Sequence, residues 1–345
     1  MKFKWDIPLL DGYRYKFLKN FSPKRNIGGF WGLLNPGIVK ELIMQRYDAI
    51  YVHGYNYFTN WLAFMTACIT NTPISLRTIS HTLDKRPLHV RIAKEITLRL
   101  LFNFAVKACL YIGEHNLTYY KRFGVSEDRL FFTPHVVDND FFTSQYNRLK
   151  SQVKDIRAKW GIHDDRPVIL FVGKLVPKKQ PLLLLEAYQR IRQRYPCALL
   201  YAGDGPLRKS IESKIQKKGI SDVIITGFLN QTEISQAYIA GDILVLPSSY
   251  AETWGLVVNE GMNFGLPIVV SDKVGCGLDL VRDGENGYIV PYNSVPALAE
   301  AITELITDPE KRRAFGKHSL EIIKNWNLNM FVNGVIKAIQ KVSGK

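Results

Sequence analysis

Short apolar runs alternate with longer amphipathic stretches through the second half of the chain. PVILFVG (167–173) closes on glycine, and LLLLEAYQRIRQRY after it reads as a helix. CALLYAG, a charged helix around Leu207–Lys218, VIITGFL, another helical stretch and DILVLP follow in turn. Then come the turn ETWGLVVNEGM (252–262), a helix, PIVVSD and GYIVP. Brief apolar strands separated by helices predict a parallel sheet with crossover connections. Ligands of such sheets bind outside the carboxyl ends of the strands, and the 252–262 turn follows a strand directly.

The first half is less regular. AIYVHGY (49–55), TPISLRTISH (72–81) and ACLYIGE (108–114) read as strands that end in polar residues. A polar stretch, SQYNRLKSQVKD, suggests a boundary between 143 and 165. The expected division is residues 1–160, residues 161–325 and a C-terminal helix, 326–345, packing back on the first domain. The segment from Lys85 to Lys107 mixes cations with apolar residues. On a helix its faces do not segregate cleanly, so a buried helix with a charged edge fits at least as well as one lying on a membrane.

Composition narrows this picture. A chain of 345 residues with 46% hydrophobic content predicts a folded protein of two domains. The longest apolar stretch, WLAFMTACI, is about half the ~20 residues a bilayer span needs. Asp6 and Asp11 fall where a signal peptide needs an apolar core, and Cys68, Cys109, Cys197 and Cys276 lack paired spacing. Both point to a cytoplasmic protein with reduced thiols, where the acceptor pattern Asn116-Leu117-Thr118 has no use. Net charge is +15, concentrated in residues 1–160, which carry 24 cationic against 12 acidic side chains. A basic first half suits an anionic partner: a phospholipid surface, a phosphorylated lipid or nucleic acid. No nucleic-acid-binding motif occurs, which argues against the last.

Three pieces at the carboxyl edge of the predicted sheet carry candidate chemistry. In VGKLVPKKQP, Lys174 and Lys179 sit between a strand closed by Gly173 and a helix opened by Pro181, an arrangement suited to an anion. In the 252–262 turn, a helix starting near Gly255 leaves the amides of Gly255, Leu256 and Val257 free, and Gly255 has no side chain to block them. Glu252 then lies in the loop before the helix and Glu260 about one turn into it. Gly203-Asp204-Gly205 makes a third tight strand-to-helix turn. Cations and amides for phosphate, with carboxylates for hydroxyls, describe a nucleotide-sugar site.

These residues resemble retaining glycosyltransferases of family four, whose GT-B architecture sets two Rossmann-like α/β domains facing across a cleft. Glu252 and Glu260 are similar to that family's paired-glutamate motif, and Lys174 and Lys179 to the cations that neutralise its donor diphosphate. GDGPL, GLPIVVSD, DGENGYIVP, VHGY, YIGEHN and PHVVDNDFF extend the resemblance over nearly the whole chain. It implies a UDP- or GDP-sugar as donor substrate, no cofactor and no metal. It further implies that Glu252 contacts the sugar, Glu260 binds the ribose, and Lys174 and Lys179 stabilise the leaving diphosphate. His81 resembles the family's cleft histidine beside the reacting sugar.

The implied reaction transfers a sugar, with retention, to a glycan or lipid-linked acceptor; the expected location is cytoplasmic or peripheral at the inner face of a membrane, where the basic first domain suits anionic lipid. Two departures stand out. Lys174 occupies a position where arginine is frequent, keeping the charge and losing the fork. Met1 enters near KWDIPLLDGY, so the resemblance implies a first domain without its usual first strand and glycine loop. The rival expectation is therefore a nucleotide-sugar binding module without turnover. Asp138-Asn139-Asp140 invites a metal reading, but it lies far in sequence from the phosphate residues. Gly203-Asp204-Gly205 lacks the third glycine of a dinucleotide fingerprint, Arg208 standing there instead.

Overall fold

The computed structural model describes residues 10–24, 28–80, 88–249 and 252–344. Contacts divide them into Val136–Leu328 and a second unit of residues 10–135 joined by 329–344. The division falls upstream of the 143–165 window, because α5 (Asn139–Leu149) and α6 (Val153–Lys159) pack on a helix of the C-terminal unit, Ile234–Ala240. Arg157 of α6 fixes that contact, donating to the Ala240 carbonyl at 3.0 Å and to Asp242 at 2.7 Å.

In the N-terminal unit the order is α1 (Gly37–Gln45), β1 (Ile50–His53), α2 (Phe58–Ile69), β2 (Ile74–Arg77), α3 (Leu88–Leu100), β3 (Val106–Tyr111), α4 (Glu114–Arg122) and β4 (Leu130–Phe132). Its strands pair in parallel in chain order, β1-β2-β3-β4. Right-handed crossovers that all step the same way put their helices on one face. Accordingly Phe64 and Ala67 of α2, Leu98 of α3 and Tyr119 and Tyr120 of α4 share one core with Val52, Leu76 and Cys109. β3 starts two residues earlier than the sequence suggests. β4 gave no strand signal, being three residues long with Pro134 close behind.

α3 corrects the reading of the 85–107 segment; residues 85–87 lie outside the described residues. The helix turns Ile92, Ile96 and Leu100 outward at four-residue spacing, and Phe104 follows at the same interval, 76% exposed. Leu98, Leu101 and Phe102 point into the core. A wide turn, Leu101–Ala105, re-phases the chain after α3, which a uniform helical period cannot anticipate.

The C-terminal unit continues with β5 (Val168–Val172), α7 (Pro181–Arg192), β6 (Ala198–Ala202), α8 (Arg208–Lys218), β7 (Val223–Gly227), α9 (Ile234–Ala240) and β8 (Ile243–Leu246). α10 (Leu256–Met262), β9 (Ile268–Ser271), α11 (Gly277–Leu280), β10 (Gly287–Val290), α12 (Val295–Thr307) and α13 (Pro309–Lys324) complete it. The six strands form one parallel sheet in the order β10-β9-β8-β5-β6-β7. Ile169, Phe171, Tyr201 and Val245 face α7 and α12, while α9 and α10 cover the other side. With both faces covered, β5, β6, β8 and β9 are buried along their whole length, hence their unbroken apolar sequences.

The last helix, α14 (Leu328–Ser343), belongs from Asn329 onward to the N-terminal unit. Its Val335, Ala338 and Val342 cover Ala108, Leu110 and Phe131 on the face of β3 and β4 that the crossover helices leave bare.

Candidate functional site

Strand order reverses in the C-terminal sheet between β5 and β8. The chain runs outward from β5 through β6 to β7, then returns to β8 on the other side of β5. The loops leaving β5 and β8 therefore diverge and open a crevice at the carboxyl edge. Two hydrogen bonds tie these loops: the Ser249 amide donates to the Lys178 carbonyl at 2.7 Å and the Ser249 hydroxyl to the same oxygen at 3.1 Å.

The loop after β5 is also fixed from β6. Gly173 N–H donates to Ala202 O at 3.0 Å, and Leu175 N–H to Asp204 O at 3.0 Å. Gly203 makes this approach possible, since a Cβ there would fall 2.0 Å from the Gly173 carbonyl oxygen. Opposite, the Lys179 stem runs past Gly173, its Cδ 3.1 Å from where a Cβ would stand.

Lys179 and Glu252 meet inside the crevice. Nζ lies 2.7 Å from Oε2, and the two side chains are only 13% and 10% exposed. Ser248 Oγ donates to the same carboxylate oxygen at 3.1 Å, and Ser271 Oγ donates to the Ser248 carbonyl. The Glu252 backbone is held too, its carbonyl accepting from Gly275 N–H at 3.0 Å. Lys174 and Lys178 are exposed on the loop.

Gly255 precedes α10 in left-handed conformation, φ 104°, where a Cβ would also stand 2.9 Å from Leu246 Cδ2. No side chain caps α10, which runs for only seven residues from Leu256. Leu256 is exposed and Val257 half-buried. Glu260, in the second turn, accepts from the Tyr238 hydroxyl. It keeps some exposed surface, yet the protein around it removes enough water to push its carboxyl up to about 7. The Tyr238 hydrogen bond and the Lys179 charge pull the other way without prevailing. Lys179 thus stands between the two glutamates, paired with one and felt by the other.

Of the residues singled out from sequence, Gly173, Lys179, Gly203, Glu252, Gly255, Leu256, Val257 and Glu260 come together at the switch of strand order, with Lys174 on its rim. His81 lies outside the described residues. The geometry adds Ser248, Ser271 and Tyr238, which no motif separates from ordinary turn and core residues. Asp138 caps α5, accepting from Phe141 N–H at 2.9 Å. Among the described residues no three His, Cys, Asp or Glu side chains are grouped to hold a metal ion.

Comparison with known proteins finds a family match for the part of the chain that carries this geometry. Residues 152–321 match the family described as Glycosyl transferases group 1. Over 167 residues the chain is 35% identical to an alpha-D-kanosaminyltransferase of Streptomyces kanamyceticus, covering 48% of this chain and 42% of that protein. It is 28% identical over 169 residues to a GDP-mannose-dependent alpha-(1-6)-phosphatidylinositol monomannoside mannosyltransferase of Mycolicibacterium smegmatis, covering 47% and 44%. The chain thus spans less than half the length of these two relatives. Anabaena HepE in complex with UDP superposes with a TM-score of 0.73 at 19% identity, over 89% of this chain and 82% of that one. A glycosyltransferase from Rickettsia africae gives 0.72 at 16%, over 89% and 80%. At such identities the likeness is one of fold.

Two predictions follow from the geometry. Lys179→Met keeps the stem and removes the charge, stranding Glu252 without its cation. Urea unfolding of the C-terminal unit is expected to lose about 3 kcal/mol, more than half of it restored when Glu252→Gln is added. Strictly additive losses would mean the two groups are not coupled.

Glu260 titrates near 7 when folded against an ordinary 4.5, so the folded state holds the extra proton between those values. Stability therefore falls as pH rises through that window and is level above it. Glu260→Gln, neutral throughout, should exceed the parent by about 2 kcal/mol at pH 8 and match it near pH 5. The same difference at both pH values would mean that the carboxyl titrates normally.

Proposed function

With residues 152–321 forming a glycosyl transferases group 1 domain, we propose that the chain transfers a sugar from a nucleotide sugar to a glycan or lipid-linked acceptor with retained anomeric configuration. The observation that carries this reading is the enclosed Lys179–Glu252 pair at the switch of strand order, with Glu260 beside it. The donor diphosphate takes Lys179 and Lys174, and Glu252, released from its ion pair, accepts from the sugar hydroxyls. Glu260, ionised above about 7, accepts from the ribose hydroxyls. The bond from the anomeric carbon to the diphosphate breaks with its electron pair on the phosphate oxygen, and an acceptor hydroxyl bonds that carbon from the same face as its proton passes to that departing phosphate oxygen. Negative charge grows on the diphosphate as this happens, so cations already in place there give the largest catalytic effect. Retention rests on the resemblance of the glutamate pair to retaining enzymes. His81 is proposed to stand beside the reacting sugar on the same ground.

UDP in the HepE complex and GDP-mannose in the mannosyltransferase's description support UDP and GDP as the nucleotides to try first. In calorimetric titration one of them should bind at micromolar strength, and Glu260→Ala should weaken it by about tenfold. Failure of UDP, GDP and ADP alike would sink the reading. A nucleotide-sugar binding module without turnover is the second reading, and it would use the same donor residues. Glu252→Gln separates the two: an enzyme loses turnover of its nucleotide sugar, whereas a module has none to lose.

The acceptor side is proposed to rest on an anionic lipid surface. No described helix is long and apolar enough to cross a membrane. α3 instead offers the outward stripe Ile92, Ile96, Leu100 and Phe104, with Arg91, Arg99 and Lys107 exposed near it. Self-association through this stripe would set like charges against each other, whereas anionic headgroups complement them. In flotation, phosphatidylglycerol vesicles should carry the chain and phosphatidylcholine vesicles should not. Ile96→Asp with Phe104→Asp should cut the bound fraction at least about fivefold. Equal binding to both vesicle types, or none, would overturn the proposal.

A further inference from the structure

Away from the glutamate crevice, the N-terminal sheet holds a second concentration of polar groups. Residues of one strand face alternate sides, and the register pairs Tyr51 with Ser75 and His53 with Arg77. These four therefore share one face at β1 and β2. On β3 and β4 the same face is apolar and lies under α14.

Arg77 is 6% exposed, and Nη2 donates to the carbonyls of Thr133 and Pro134 at the long distances of 3.3 and 3.4 Å. Its guanidinium lies 5.3 Å from the Phe331 ring of α14. Nε is enclosed with no acceptor, and so is the hydroxyl of Ser75 two residues before it. The groups that face this cation are Tyr51, His53, His135 and Phe331, with Tyr120 felt from across the sheet; no carboxylate is among the described ones. A buried charge normally has a counter-ion, because desolvating it alone is costly. Burial, and then the Arg77 charge, hold His53 below its ordinary value, and the same two causes push His135 down to about 4. Near neutrality the cluster is thus one fixed cation with neutral imidazoles. Tyr51 and His53 are exposed, which gives a ligand access.

We infer that Arg77, His53, His135 and Tyr51 form a binding site for a phosphate-type oxyanion, which supplies a counter-charge that the described residues do not. On the transferase reading, on which this last clause rests, the oxyanion is an anionic group of the acceptor. Its source is either a soluble phosphate ester or a phospholipid headgroup.

The test follows the imidazole resonances of the full chain by nitrogen–proton correlation, with His53→Gln to assign one of them. Inorganic phosphate, added at constant ionic strength against chloride, should move His53 and His135 saturably. It should also raise the His135 titration midpoint by about one unit, since a bound anion favours the protonated ring. His53→Gln, at an exposed position, should weaken the binding by about fivefold, as should Tyr51→Phe. Arg77→Met should abolish it; should that variant not fold, the two exposed substitutions decide. No saturable shift up to about 50 mM phosphate, or the same shift with chloride, overturns the inference.

Phosphatidic acid vesicles form the second arm. Shifts with both probes assign a site open to headgroups, and shifts with phosphate alone assign soluble esters. Shifts with vesicles alone reject an oxyanion site. These resonances report on the N-terminal unit, so failure here leaves nucleotide binding untouched, and failure to bind UDP or GDP leaves this site untouched.

Discussion

An ammonium and a carboxylate held 2.7 Å apart and largely out of water set the terms for the C-terminal unit. Such a pair is tolerable only where geometry is fixed on both sides, because each charge alone would be expensive to enclose. Each restraint around it serves that end. The loop carrying Lys179 is pinned to β6 through the bare backbone of Gly203, and the loop carrying Glu252 is held by Ser248 and Gly275. The reversal of strand order at β5 and β8 is what brings the two loops side by side. Had the sheet run on in one direction, the same residues would lie strands apart.

The two units meet the cost of charge differently. In the C-terminal unit cations and acids nearly balance, and the buried lysine has its glutamate. The N-terminal unit carries most of the excess positive charge, buries a guanidinium against carbonyl oxygens and a ring, and turns large apolar side chains outward on α3. Unsatisfied charge and unburied apolar surface in the same unit are both features that a partner can relieve. In the C-terminal unit the tension is internal, between Lys179 and two acids.

Much of this was legible in the sequence. Unbroken apolar runs closed by glycine gave the strands of the C-terminal sheet, because strands buried on both faces leave no polar alternation to confuse. Lys179, Glu252 and Glu260 were legible because their spacing from strand ends fixes them at one edge of the sheet. The ion pair itself was not, since pairing depends on which strands become neighbours, and DILVLP could have joined the sheet anywhere. Tyr238 was hidden for a similar reason: a tyrosine in a helix gives no sign that its hydroxyl will meet a carboxylate 22 residues on. The stripe on α3 escaped because apolar residues at helical spacing read equally well as a buried face, and Arg77 because nothing in a strand marks a cation with no carboxylate beside it among the described residues.

The raised titration of Glu260 and the closeness of Lys179 to Glu252 have one physical origin. The crevice is poor in water, so each carboxylate there needs a cation, and one lysine serves two. Lys179 cannot satisfy both, and the acid left with a neutral hydroxyl for partner is the one that tends to keep its proton. A dianionic ligand entering this crevice would compete for the same lysine, so it could bind only by bringing hydroxyl donors for the acids it displaces or by drawing in the second cation, Lys174, from the rim. A bare anion offers no such donors, whereas a phosphate that carries sugars on both sides offers them to both acids. On the proposed reading, the shortage of positive charge would therefore itself be a device of selectivity, making the crevice a poor site for phosphate alone and a better one for phosphate in the company of hydroxyls.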